Sequence, residues 1–76
     1  MRMEEYQNLS GNSGVRAYSI TSDSIAVKFV DGDTYLYTRQ SAGRDNIESM
    51  KILARKGKGL SSFIATHVRD RYAAIL

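Results

Sequence analysis

Ser24-Ile25-Ala26-Val27-Lys28-Phe29-Val30, then Asp31-Gly32-Asp33, then Thr34-Tyr35-Leu36-Tyr37-Thr38: this run decides the fold. Apolar, β-branched and aromatic side chains recur at every second position on both sides of a turn tripeptide, the pattern of an antiparallel hairpin. In the first arm Ile25, Val27 and Phe29 share one face, while Ala26 and Lys28 share the other, which marks the core side.

Two turns fit the tripeptide. A two-residue type I′ loop at Asp31-Gly32 sets Val27 against Leu36 and leaves Tyr35 and Tyr37 on the outer face beside Lys28. A type I turn starting at Val30-Asp31 and closed by Gly32 in a G1 bulge instead sets Val27 against Tyr35 and Ile25 against Tyr37. The second register gives this small sheet the fuller apolar face and is the one expected. Asp31 and Asp33 read as turn chemistry, since a calcium loop needs further oxygen ligands and a glutamate at its twelfth position.

Working outward, Val15–Ile20 reads as a third strand, joined to the hairpin by the turn Thr21-Ser22-Asp23. Residues 1–14 end in Leu9-Ser10-Gly11-Asn12-Ser13-Gly14, a polar stretch expected to form a partly flexible lead-in outside the core. Downstream, a helix is expected from about Ser41–Asp45 to Lys56, with Asp45 and Glu48 spaced as a capping-box variant. It carries Ile47, Met50, Leu53 and Ala54 on one side and has Gly57 at its left-handed end. A second helix, capped by Ser61 or Ser62, carries Leu60, Phe63, Ile64, Val68 and Tyr72 at three-and-four spacing. Laying both stripes over one face of the meander satisfies all elements. The expectation is one α+β domain over 15–76, a three-stranded antiparallel meander covered by two C-terminal helices in the order βββαα.

Seventy-six residues support one domain with a core near the lower limit of self-sufficiency, so a homodimer or a partner chain is a plausible source of further burial. A hydrophobic share of 42% is too high for a disordered chain. Cysteine is absent, which removes disulfides and thiolate metal sites and fits a reducing compartment. Met1-Arg2-Met3-Glu4-Glu5 lacks an apolar run of signal-peptide length, so a cytoplasmic protein with no membrane span is expected.

Order and spacing together resemble the KTSC family, a short domain found at the C-terminus of some lysyl-tRNA synthetases and as a free-standing bacterial protein. The likeness runs from about Asn12 to Tyr72. It rests on Ile25-x-Val27-x-Phe29, the turn at Gly32, Tyr35-Leu36-Tyr37, and the closing Phe63-Ile64 with Arg69-x-Arg71-Tyr72. Relatives often carry a valine-proline step after the tyrosine pair, where this chain has Arg39-Gln40-Ser41-Ala42-Gly43 and no proline. The resemblance implies the same fold and, through the synthetase association, RNA binding.

Charge gives the functional reading its direction. Residues 1–43 hold four bases against five acids, whereas residues 44–76 hold seven bases against three acids, so the helical half would attract a polyanion. Lys56-Gly57-Lys58-Gly59-Leu60-Ser61 places a basic loop before a helix N-terminus. There Lys56, Gly57, Lys58, Gly59 and Ser61 would hold phosphate, although the spacing is not that of a P-loop. Arg55, Arg69 and Arg71 would add a nucleic-acid patch that contacts backbone without reading sequence. Tyr35 and Tyr37 would stack on unpaired bases if the hairpin register turned them outward. The plainer alternatives are an ordinary helix corner, a solvated charged face and core tyrosines.

His67, the only histidine, lies beside the apolar stripe without a second ligand or a nucleophile motif. No metal, cofactor or catalytic residue is expected. The expected function is a non-enzymatic binding module for RNA or another phosphate-rich ligand. Its alternatives are a protein-interaction or inhibitor module working through a sheet edge and the apolar tail Ala73-Ala74-Ile75-Leu76, and a dimeric protein that sequesters a nucleotide.

Overall fold

The hairpin forms in the bulged register. The structure, a computed structural model, describes residues 2–76. Val27 lies opposite Tyr35 and Ile25 opposite Tyr37. The turn is closed by the Gly32 amide donating to the Phe29 carbonyl (3.0 Å) and the Phe29 amide to the Asp33 carbonyl (2.9 Å). Gly32 sits at φ 103°, a left-handed value that a side chain would strain.

Around this hairpin the described residues build a five-stranded antiparallel sheet rather than a three-stranded one. Its order is β1 (Glu4–Glu5), β2 (Val15–Ile20), β3 (Ser24–Phe29), β4 (Thr34–Thr38) and β5 (Ala74–Ile75). The two additional strands are two-residue edges that period-two patterning is too short to detect. Between β4 and β5 run three helices, α1 (Arg39–Ala42), α2 (Arg44–Lys56) and α3 (Leu60–Phe63), the last continuing as a π-helical turn, Ile64–Val68.

The core lies between the helices and one sheet face. Ile25, Val27 and Tyr37 meet Ile47, Met50 and Ala54 of α2 and Leu60, Ile64 and Val68 of the last helix, so both sequence stripes face inward. Phe29, Tyr35 and Tyr72 close one side of this core. Tyr72 packs on Tyr35 with the rings tilted by 37° at 4.8 Å between centroids and meets the Tyr37 ring edge-on at 6.2 Å.

Four local expectations are corrected. The lead-in belongs to the core, because β1 pairs with β2 and Tyr6 is 4% exposed within the apolar cluster. The capping box sits on α1, where Thr38 and Ser41 cap each other reciprocally, while α2 starts from Gly43 with no side-chain cap. The last helix starts from Gly59, not Ser61 or Ser62. It ends at Val68, where Arg69 turns to φ 44°, so Tyr72 packs from a loop and the apolar tail docks as β5. The tail is held by the Ala73 amide on the Leu36 carbonyl (2.7 Å) and the Leu76 amide on the Thr34 carbonyl (2.8 Å).

Candidate functional site

The Lys56–Ser61 corner is filled from inside by the residues expected to hang free. Gly57 takes a left-handed conformation (φ 77°, ψ 20°), and its amide closes α2 onto the Leu53 and Ala54 carbonyls. The Gly57 carbonyl accepts from the Leu9 amide at 2.8 Å. Three residues on, at the first position of the last helix, the Leu60 amide donates to the Tyr6 hydroxyl at 3.3 Å, a buried bond. The first amide of that helix is therefore capped by the protein itself.

The lysines stand apart from what remains of the cradle. Gly59, Ser61 and Ser62 line a small polar depression of about 200 Å³ with Ser10, Asn12 and Ser13, whereas neither Lys56 nor Lys58 reaches it. The depression is thus lined by hydroxyl-bearing, carboxamide and glycine residues and by neither lysine. What the corner does present is charge. Arg55, Lys56 and Lys58 are exposed, and the ion pairs among the described residues both fall elsewhere, on Glu48.

Arg69 and Arg71 lie at the far end of the helix from this corner, with the whole of Leu60–Val68 between them and Gly59. Arg69 is used structurally. Its Nε donates to the Ala65 carbonyl (3.1 Å), closing the helix end, and its carbonyl accepts from the Tyr37 hydroxyl (3.1 Å).

Tyr35 and Tyr37 face the core. Tyr37 is 1% exposed, and burial, with the nearby Tyr35 and Tyr72 hydroxyls and Asp70, pushes its pKa up to about 12. Tyr35 is half-buried between Phe29 and Tyr72, and its pKa is raised by desolvation and by Asp33 and Asp31. The outward stacking platform conditional on the other register is not formed.

His67 stacks face to face on Phe63 (4.1 Å between centroids), with Nδ1 within 2.8 Å of the Thr66 hydroxyl. Among the described residues no three His, Cys, Asp or Glu side chains gather as a metal set, and no helix is long and apolar enough to cross a membrane.

One charged cluster was invisible in the sequence. Lys51, on the inner side of α2, is buried and donates to the Ser22 carbonyl (2.8 Å) and to Glu48 (3.0 Å), while Arg39 also reaches that carbonyl (3.0 Å). The Lys51 hydrogen bond, assisted by Arg39, holds the Glu48 carboxyl below its usual range. These contacts tie the β2–β3 turn to the helix layer. They are a clamp rather than a site, because the Lys51 and Arg39 charges are both turned onto the Ser22 carbonyl and Glu48.

A second arrangement the sequence did not signal lies at the opposite sheet edge. Arg2, Glu4, Tyr18, Ser19 and Ile20 line a depression with Arg55 of α2, which brings two arginines from distant parts of the chain together. No protein-family model, curated protein or solved structure matches this chain.

Proposed function

We propose that the protein is a non-enzymatic binding module for RNA or another phosphate-rich ligand, which it meets through the C-terminal end of α2. The observation that carries this reading is the run of exposed cations Arg55, Lys56 and Lys58, with no carboxylate within 4 Å among the described residues. Arg55 and Lys56 also complement the carbonyl end of the α2 dipole. Lys58 lies beyond the helix and owes its place to no such role. The resemblance to the KTSC family supports the same direction, through that family's association with lysyl-tRNA synthetases. The contacts would be electrostatic and tolerant of sequence, since the tyrosines that would have supplied base stacking are packed inward.

The test is a titration of labelled single-stranded RNA at two salt concentrations, with the wild type and with Lys56→Gln plus Lys58→Gln. Binding should weaken steeply with salt, and the double variant should lower both affinity and salt slope, by about one unit of slope for each phosphate that a lysine no longer neutralises. Absence of binding at low salt, or an unchanged double variant, rejects the reading.

A second reading has one observation of its own. Ile75 of the edge strand β5 and Leu76 just after it are 55% and 58% exposed, a place where another chain could pair. A sedimentation series over protein concentration separates the two, since self-pairing at β5 predicts a dimer that Ile75→Lys abolishes.

A further inference from the structure

The depression at the β1 edge is built differently from the rest of the basic surface. Register places Glu4, Tyr18, Val27 and Tyr35 level on the core face of the sheet. β1 pairs only with Ala17 and Tyr18, so the chain parts from β2 alongside Ser19 and Ile20. The result is a recess of about 310 Å³ whose lining includes both Arg2 and Arg55.

Tyr18 forms part of its wall and is more than nine-tenths buried, at 8% exposed. Its hydroxyl makes no hydrogen bond to any described residue, yet no buried side-chain oxygen is left without a partner. The small exposed part of Tyr18 therefore includes the hydroxyl, and Tyr18 is one of the residues that line the recess. Neither arginine has a carboxylate within 4 Å among the described residues, Glu4 included.

We propose that this recess binds a phosphate monoester, with Arg2 and Arg55 as charged clamps and the Tyr18 hydroxyl as a third donor. Two guanidinium groups match the two charges and three free oxygens of a monoester, whereas a carboxylate is saturated by one bidentate arginine. Glu4 opposes a bare anion and accepts from a hydroxyl, so a monoester on a hydroxyl-bearing body is held better than inorganic phosphate. The site deepens the polyanion reading and shares Arg55 with it, while Arg2 and Tyr18 belong to the recess alone. Two sources carry this chemistry, a free nucleoside monophosphate and the 5′-phosphorylated end of an RNA strand.

Amide correlation spectra of the full chain, titrated with inorganic phosphate, adenosine monophosphate, and a short RNA bearing either a 5′-phosphate or a 5′-hydroxyl, test it. The mononucleotide should move the Ser19 and Ile20 amides. Arg2→Gln, an exposed change, should weaken that binding about tenfold or more, and Tyr18→Phe about threefold to tenfold. Lys56→Gln plus Lys58→Gln should leave mononucleotide affinity within about twofold while weakening RNA. Tighter binding of 5′-phosphate than 5′-hydroxyl RNA supports the strand end as the source. Mononucleotide shifts without RNA binding support the recess and reject the RNA surface. RNA binding indifferent to the 5′ group, with no mononucleotide shift at Ser19 or Ile20, overturns the recess and leaves the surface standing. Silence from every ligand overturns both.

Discussion

Replacing Gly57 by alanine tests whether the lead-in is locked onto the basic corner. A Cβ at Gly57 would lie 2.6 Å from the Cβ of Gln7 and 3.3 Å from its Cγ, and the first of these cannot swing away because it is fixed to the backbone. The left-handed backbone (φ 77°) adds about 1–2 kcal/mol for any residue with a Cβ. Forcing an extra carbon into a packed contact adds about 1–3 kcal/mol. The expected loss is thus about 2–5 kcal/mol, against a total stability of roughly 4–11 kcal/mol for a chain of this length. Urea unfolding gives the loss directly, and a double-mutant cycle with Gln7→Gly separates its parts. In the Gln7→Gly background only the backbone share of about 1–2 kcal/mol should remain. An equal loss in both backgrounds would refute the packing of residues 6–9 against the corner.

Three further outcomes follow from individual contacts. Tyr6→Phe leaves the buried Leu60 amide without its acceptor and should cost about 1–3 kcal/mol, with faster hydrogen exchange at Leu60 as the local readout. Tyr37 has a folded-state pKa raised to about 12 from an ordinary value near 10, so the stability it lends is complete below about pH 10 and falls away as pH rises toward 12. Tyr37→Phe should flatten that alkaline fall in a urea-midpoint profile. Glu48 has its pKa lowered by the Lys51 hydrogen bond, so its contribution is present above the usual carboxylate range and is lost as pH drops through the folded-state value. Glu48→Gln should remove that part of the acid slope, and an unchanged acid limb would argue against the clamp.

What the sequence made legible is what repeats. The alternation through Ile25, Val27 and Phe29 and the helical spacing of Ile47, Met50 and Ala54 each recur often enough to define a face, and those faces form the core. The hairpin register followed from requiring that face to be full. What stayed hidden depends on single residues meeting across the chain. Tyr6 alone carries the lead-in into the core, and nothing periodic surrounds it. The edge strands hold two residues each, below the length at which alternation has meaning. Tyr72 continues the helical spacing beyond Val68, but Arg69 turns the chain, because β4 still offers an unpaired edge that Ala74–Ile75 can close.

The same shortage of burial explains why the site was legible as charge and not as geometry. A chain this small draws on its polar N-terminal stretch to finish the core, and the place where that stretch docks is the glycine corner whose amides were the expected anion cradle. Tyr6 competes with a ligand for the Leu60 amide and is present at far higher effective concentration, while Leu9 bonds the Gly57 carbonyl and Gln7 packs against Gly57. Docking cannot neutralise the charges beside the corner, since the stretch from Tyr6 to Gly14 contains no acid. The acids of the lead-in, Glu4 and Glu5, are held upstream by pairing with β2, one of them in the recess that holds Arg2 and Arg55. The fold thus spends the Gly57 and Leu60 amides internally and leaves the guanidinium and ammonium groups, so the recess proposed for a phosphate monoester lies at the β1 edge rather than at the corner.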